Sequence, residues 1–268
     1  MNTLETYFAL PFAWNLPATE EELQAAARTL EITWPPEVEV LYRQHNGANG
    51  LADDWEEQWA ERLNENEDTY PQVPRLMTLP EAEEFHEDSR EIMNSEVRFF
   101  WTDDNSNYVG VYVFGALAGC VCLFRHDEPD SSPRFRSIHE FLTITTSNPL
   151  LDPFHDEEFT TTYPVLRSDK AYVEGDWNKA EACFALVTDH NDGESQLLAS
   201  AMILTPYERS DALIPYLGSP DFFVAARAAR ILGARRYAPA KPLLQQLAQN
   251  GVSNARSAAQ IALRNWDF

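Results

Sequence analysis

Apolar residues recur at helical spacing in two segments near the start of the chain. TEEE (19–22) has the spacing of a capping box, and an apolar stripe follows it. In TWPPEVEVLYRQHNG (33–47), the two prolines suit a helix start, and the final Asn-Gly pair suits a left-handed helix stop. The pattern therefore predicts one helix over about 19–30 and a second, proline-led helix that stops at Asn46-Gly47.

Shorter apolar runs with a period of two follow in the middle of the chain. VRFFW (97–101), YVGVYVF (108–114) and CVCLFR (120–125) are rich in β-branched and aromatic residues and are separated by turn-forming segments. They predict a three-stranded antiparallel meander. Both alternating sets of the middle run are largely apolar, which indicates a sheet covered on both faces. Ser137 then caps a further predicted helix, SIHEFL.

An acidic stretch separates the first helices from the strands. LADDWEEQWAERLNENED (51–68) predicts the start of a helix with Trp55, Trp59 and Leu63 on one side, followed by a polar loop. A second acidic helix is predicted after Pro80. These two segments form the most acidic stretch of the chain.

A repeat lies near the end of the chain. VAARAARILG (224–233) aligns with ARSAAQIALR (255–264) at a shift of 31, and ALIPYL (212–217) aligns with PLLQQL (242–247) at a shift of 30. Small residues at the inner positions would let the helices pack closely. These paired helices resemble short HEAT repeats, which stack into curved surfaces that bind proteins.

The chain is predicted to be helical from a proline-containing linker to its end. Within this part, DKAYVEGDWNKAEACFALV (169–187) predicts two helices joined at Gly175-Asp176 and resembles a tetratricopeptide hairpin. The fold class is therefore α+β followed by all-α. The predicted parts are an N-terminal domain over 1–147, a linker over 148–165 and a helical repeat domain over 166–268.

Charge is distributed unevenly along the 268 residues. Residues 1–150 hold 28 Asp and Glu against 9 Lys and Arg, whereas residues 151–268 hold 15 against 11. The densest segment, 53–91, has 14 acidic and 3 basic residues. Such a chain would repel nucleic acid, and it would attract a basic protein partner. The alternative is a solvated acidic surface that only aids solubility.

The sequence lacks the common catalytic and nucleotide-binding motifs, since GxxxxGK[ST], GxGxxG, GxSxG and HExxH are all absent. Three cysteines give no disulfide framework, and Cys120 and Cys122 are expected to be buried thiols on one side of a strand. A Cys120 nucleophile acting with His126 is left as an alternative. The acidic loops at His126 and His155 could supply metal ligands, although solvated loop charge is the better interpretation. No metal and no cofactor are expected.

The segment Asp103-Asp104-Asn105-Ser106-Asn107 begins like a calcium-binding loop. A loop of that type needs glycine at its sixth position and a bidentate glutamate at its twelfth. Here those positions are Tyr108 and Phe114. The segment is therefore predicted to be a tight turn.

Nothing in the sequence suggests a membrane segment or a signal peptide. No apolar run approaches the roughly 18–20 residues that a membrane helix needs. The N-terminus has neither a basic start nor a small-residue cleavage site. A cytoplasmic protein is therefore the expectation.

The order of these parts resembles the SUKH superfamily, also called Smi/Knr-like. The resemblance covers roughly 15–145. Trp34 stands where leucine is usual, and the spacing at Tyr108-Val109-Gly110 departs from the glycine-rich hairpin of many members. The matching residues are Pro35, Pro36, Leu41, Tyr42, Asn46, Gly47, Phe141 and Leu142.

The resemblance implies a non-enzymatic binding domain. Bacterial members resemble immunity proteins that neutralise toxins, and fungal members resemble regulators of cell-wall synthesis. The leading hypothesis is an immunity protein whose acidic surface binds a basic toxin domain, such as a nuclease-type toxin. The alternative is a regulatory scaffold that binds through its helical repeats. The predicted contact residues are Asp53, Asp54, Glu56, Glu57, Glu61, Glu83, Glu84 and Glu87.

Overall fold

The chain forms two compact units, one over Met1–Thr161 and one over Thr162–Phe268. The computed structural model describes residues 3–59, 70–90, 94–127, 130–156, 159–264 and 266. The first unit combines helices with β-sheet, and all the secondary-structure elements described in the second are helices. The predicted fold class, α+β followed by all-α, is confirmed.

The first unit contains six helices and seven strands within its described residues. Its helices are α1 (Thr3–Phe8), α2 (Glu20–Thr29), α3 (Pro36–Gln44), α4 (Trp55–Trp59), α5 (Leu79–Ser89) and α6 (Ile138–Ser147). Its strands are β1 (Phe12–Trp14), β2 (Ala48–Leu51), β3 (Arg75–Leu76), β4 (Val97–Thr102), β5 (Tyr108–Tyr112), β6 (Val121–Phe124) and β7 (Pro133–Phe135).

The main sheet is a five-stranded antiparallel meander in the order β3-β4-β5-β6-β7. The three predicted strands form its centre, so the predicted meander is confirmed. Every residue of β4 and β6 is buried, as expected for strands covered on both faces. The two outer strands, β3 and β7, were not predicted, and β1 pairs with β2 in a separate two-stranded sheet.

Side-chain caps fix the starts of three helices in the first unit. Thr19 and Thr78 each form a capping box, with Glu22 and Glu81 respectively, at the starts of α2 and α5. Ser137 accepts a hydrogen bond from the backbone N–H of Glu140 at the start of α6. The predicted boundaries of α2 and the serine-capped start of α6 are confirmed.

The proline-led helix α3 forms as predicted, but its end differs. The helix stops at His45, which is extended, and not at a left-handed cap. Gly47 has φ +70° and turns the chain into β2. A side chain at Gly47 would lie 2.5 Å from the backbone of Met77, so this turn needs glycine for its space as well as its φ.

The core of the first unit is built from large side chains. Trp101 of β4 is fully buried and packs edge-on against Phe141 of α6 at a ring distance of 5.3 Å. The opposite face of β4 turns Phe99 toward Phe85 of α5, at 5.3 Å. The sheet is thus held between α6 on one side and α5 on the other.

The segment predicted as a linker is divided between the two units. Phe154 and Phe159 are buried in the core of the first unit, and Tyr163 and Val165 are buried in the second. The division falls at 161/162, whereas the predicted linker spans 148–165.

The second unit contains five α-helices and two 3₁₀ segments within its described residues. Its α-helices are α7 (Val173–Leu186), α8 (Gln196–Leu204), α9 (Phe222–Ala234), α10 (Lys241–Asn250) and α11 (Ser253–Arg264), and its 3₁₀ segments are Tyr207–Gly218 and Ala238–Ala240. The predicted break at Gly175-Asp176 is wrong, because α7 runs through both residues. Asp176 is buried there and accepts a hydrogen bond from the Tyr163 hydroxyl at 2.5 Å.

The aligned repeat segments occupy equivalent positions in two helix pairs. The first copies lie in the 3₁₀ segment Tyr207–Gly218 and in α9, and the second copies lie in α10 and α11. α9 and α11 pack so closely at Gly233 that a Cβ at this position would clash with Ala262. This geometry supports stacked helix pairs, and the HEAT assignment remains a resemblance. Among the described helices, none is long and apolar enough to cross a bilayer.

Candidate protein-binding groove

The predicted acidic residues fall into two groups in the first unit. Asp53, Asp54, Glu56 and Glu57 are exposed at the start of α4, and Glu84 and Glu87 are exposed on α5, where Glu83 is partly buried. Glu61 lies outside the described residues. Of the described residues in the predicted set, only Glu84 lines the groove described next.

That site is an acidic groove between α5 and the neighbouring edge of the main sheet. It encloses about 320 Å³. Four carboxylates line it, against one guanidinium. The charged lining residues are Glu81, Glu84, Asp88, Asp104 and Arg75.

Arg75 of β3 fixes two of these carboxylates. Its guanidinium donates to Glu81 at 2.8 Å and to Asp104 at 2.6 Å, and it also donates to the Ala48 carbonyl at 2.8 Å. The Arg75 side chain is only 10% exposed. This double ion pair links α5, β2 and the β4–β5 turn, and it holds one wall of the groove rigid.

Glu81 is the carboxylate most affected by this arrangement. Burial alone would raise its pKa, but hydrogen bonds from Arg75 and Thr78 outweigh burial and leave the pKa lowered. Glu81 therefore stays ionised, and it closes the capping box of α5 at the same time. The groove wall and the helix start depend on one side chain.

The β4–β5 turn positions Asp104. The Asp103 carboxylate accepts the backbone N–H groups of Asn105 and Asn107 at 2.7 and 3.1 Å, and Asp104 has φ +62°. This is the tight turn that the sequence predicted. It aims Asp104 back toward Arg75.

Aromatic rings form the apolar part of the groove. Phe85 of α5 stacks on Tyr108 of β5 with a ring distance of 3.9 Å and an interplanar angle of 28°. Both rings are partly exposed, and both line the groove. Carboxylates beside flat rings favour a lysine or arginine side chain of a partner, because the rings cover its stem or its guanidinium plane.

Only part of this groove was recognisable in the amino-acid sequence. Thr78, Glu81 and the Asp-rich turn carried recognisable local signals, namely a capping box and a turn. Arg75 gave no signal, because its two acidic partners lie 6 and 29 residues away.

The structure also places the cysteine and histidine candidates. Cys120 and Cys122 are fully buried, as expected, and burial raises the pKa of Cys122 to about 12. His126 is exposed, and its Nδ1 lies 3.1 Å from Asn107 Oδ1. His155 Nε2 lies 3.4 Å from Nδ2 of the same asparagine. Asn107 thus links the two predicted loop histidines.

The fold defines the first unit as an α+β domain whose helix-flanked antiparallel sheet carries an acidic groove. Residues 17–144 match the model of the SMI1/KNR4 family (SUKH-1), which identifies a SUKH domain in the first unit. Domains of this family are protein-interaction modules. The matched range contains every residue of the groove.

No curated protein shows significant similarity to the chain. The helical second unit lies outside the family match.

Proposed function

We propose that the chain is a non-enzymatic protein-binding protein that acts as an immunity protein. Its acidic groove would bind a basic surface of a toxin and block that toxin. The family membership of the first unit supports a protein-binding role, and the observation that carries the proposal is the shaped acidic groove between α5 and the sheet.

The charge of the first unit supports a basic partner. Residues 1–161 hold 32 Asp and Glu against 9 Lys and Arg, whereas residues 162–268 hold 11 of each, so the whole net charge of −23 belongs to the first unit. Such a field accelerates the encounter with a cationic protein, and the rigid carboxylates of the groove then select its orientation. Toxins that attack nucleic acid are often basic, which fits a nuclease-type target.

The test begins with the full chain as bait for proteins of its host, washed over a series of salt concentrations. The captured protein is then used in association kinetics with the double variant Glu84→Lys/Asp88→Lys. Both residues are exposed and line the groove. At low ionic strength we expect association to slow by about tenfold or more, with a smaller change at high salt.

The matched control is Glu174→Lys/Glu181→Lys, which makes the same charge change at exposed positions of α7 in the second unit. We expect it to affect association far less. Equal slowing by both double variants would show that net charge, and not the groove, guides binding. A partner whose toxic activity persists when it is saturated with the chain would exclude the immunity role.

A regulatory scaffold is the second candidate, and an apolar groove in the second unit favours it. This groove encloses about 400 Å³ between the end of the 3₁₀ segment Tyr207–Gly218 and α9 to α11. Phe222, Leu243 and Val252 line it and are 37%, 39% and 60% exposed. Apolar surface of this kind is typical of protein contacts.

The scaffold hypothesis predicts that Leu243→Ser/Val252→Ser abolishes partner binding and that Glu84→Lys/Asp88→Lys leaves it intact. Ile261→Ser is the control, since Ile261 is 50% exposed in the same unit and does not line the groove. The immunity hypothesis predicts the reverse ranking of the two double variants, so one binding series separates the two functions.

A further inference from the structure

A second cleft in the first unit has a different electrostatic character from the acidic groove. It encloses about 390 Å³ between the end of α2, the end of α5 and the adjoining part of the main sheet. Its polar and aromatic lining includes Glu31, His86, Arg90, Asn94, Arg98 and Phe114.

Arg98 is the central residue of this cleft. It lies on the buried strand β4 and is only 4% exposed, although it is charged. Its Nε donates to the Leu30 carbonyl at 2.6 Å, and its Nη1 donates to the carbonyls of Ser95 and Val97 at 2.8 and 2.9 Å. Three of the five N–H groups are thus used, and among the described residues Nη2 has no acceptor.

The guanidinium of Arg98 also lacks a carboxylate within ion-pair distance in the described part of the chain. A buried charge without a counter-charge is costly, and burial lowers the pKa of Arg98. Its backbone partners hold the side chain in place, but they neither neutralise its charge nor occupy Nη2.

The buried Arg235 of the second unit is a useful comparison, because every nitrogen of its guanidinium donates a hydrogen bond within the protein. Arg235 is also 4% exposed. All three of its nitrogens have acceptors, which are the carbonyls of Val165, Thr205 and Pro206 and the Ser210 hydroxyl. Arg98, by contrast, lines a cleft, and its Nη2 has no hydrogen-bond acceptor among the described residues.

The described lining of this cleft carries two guanidinium groups, those of Arg98 and Arg90, against one carboxylate. Arg90 is exposed at the cleft and forms no ion pair with any described residue. Burial and the charges of Arg98 and Arg90 lower the pKa of His86, and the carboxylates of Glu31 and Glu87 oppose this shift without reversing it. Glu31 is the one acidic residue that lines the described cleft, and it is exposed.

We propose that this cleft is a binding site for a small molecule that carries an oxyanion, either a carboxylate or a phosphate. The oxyanion accepts from Arg98 Nη2 and is further stabilised by Arg90. The Phe114 ring, which is 43% exposed and lies 5.7 Å from the Arg98 guanidinium, contacts the apolar body of the ligand.

The test uses the full chain with phenyl phosphate and benzoate as probes and benzyl alcohol as the neutral control. Binding is followed by amide chemical shifts in NMR spectra. We expect saturable shifts at Ser95 and Val97 below about 10 mM of at least one anionic probe, and none with benzyl alcohol. The anionic probe that binds with the lower Kd shows whether the site prefers a phosphate or a carboxylate.

Two variants locate the site, and a third is their control. Arg98→Lys keeps the charge but loses the guanidinium geometry, and we expect it to weaken binding about tenfold or more. Arg90→Gln weakens binding about two- to fivefold. Arg28→Gln, the same charge change at an exposed position of α2 that does not line the cleft, has no effect.

Circular dichroism checks that each variant is folded. Unchanged binding by folded Arg98→Lys overturns the proposal, and so does an absence of saturable shifts in the unaltered chain. If Arg98→Lys does not fold, Arg90→Gln and Phe114→Ala decide, because both residues are exposed. Binding equal to that of Arg28→Gln in both variants then overturns the proposal.

Discussion

The two units of this chain solve the packing problem in opposite ways. The first fills the space around a five-stranded sheet with large rings, among them the fully buried Trp101, Tyr7 and Tyr42. The second brings helices so close together that alanine and glycine fill the interface, as at Gly233 and Ala262 of α9 and α11. Sheet-to-helix layers need bulky side chains to span the gap, whereas close helix pairs exclude them.

The surfaces of the two units differ as sharply as their cores. The first unit holds all of the net charge of −23, and the second is neutral by formal count. An acidic groove and an oxyanion cleft lie on the first unit, and an apolar groove lies on the second. A charged surface favours fast, salt-sensitive association, and an apolar repeat surface favours slow release of its partner.

The largest expected effect tests the aromatic core. Trp101→Ala removes a fully buried indole that packs on Phe141, so it should lower the free energy of unfolding by about 3–5 kcal/mol. Native-state hydrogen exchange should show the loss in amides of β4 and β5 and leave α9 and α11 protected. Equal losses in both units would mean that the two cores do not unfold separately.

The second effect tests the buried arginine of the helical unit. Arg235→Met removes the guanidinium that donates to the buried carbonyls of Val165 and Thr205, and it should cost about 3 kcal/mol, measured by urea denaturation. Arg236→Met is the matched control, because Arg236 is the exposed neighbour with φ +48°. Similar losses of unfolding free energy in the two variants would contradict a stabilising role for the Arg235 hydrogen bonds.

The third effect tests the close approach of α9 and α11. Gly233→Ala places a methyl group against Ala262 and should destabilise the chain by about 1–3 kcal/mol. Gly175→Ala makes the same change inside α7, where a Cβ meets nothing within 4 Å, and it should stabilise by about 0.5–1 kcal/mol. Thermal denaturation that shows the same sign for both variants would rule out close packing at Gly233.

The smallest effect concerns the ion pairs of the acidic groove. The folded-state pKa of Glu81 is lowered, so its contribution to stability is present above the ordinary carboxyl pKa and is lost as the pH falls through the lowered value. Glu81 is partly exposed, which limits this contribution to below about 1 kcal/mol.

Denaturation as a function of pH measures this contribution. Glu81→Gln should reduce stability at neutral pH and flatten the loss of stability in acid. Glu84→Gln, an exposed change on the same helix, should keep the slope of the unaltered chain. If the free energy of unfolding of Glu81→Gln falls with decreasing pH as steeply as that of the unaltered chain, Arg75 stabilises the groove wall through Asp104 instead.

The sequence by itself determined the local structure of this protein. Capping residues such as Thr19 and Ser137 marked helix starts that the structure confirms, and runs of alternating apolar residues marked β4, β5 and β6. The family resemblance also followed from short motifs and is confirmed over 17–144. These features depend on neighbours within a few residues, so a linear pattern records them.

Only the tertiary structure decided the outer strands, the continuity of α7 and the shaped sites. β3 and β7 are two and three residues long, too short to show a period, and they form because the central strands offer them hydrogen bonds. Gly175 stays helical because α7 packs against α8, a contact that its own sequence does not record. Arg75 and Arg98 acquired their surroundings from residues far along the chain, such as Asp104 and Leu30. Long-range contacts of this kind fix charge and burial, which is why the sequence predicted an acidic surface but not the groove or the cleft.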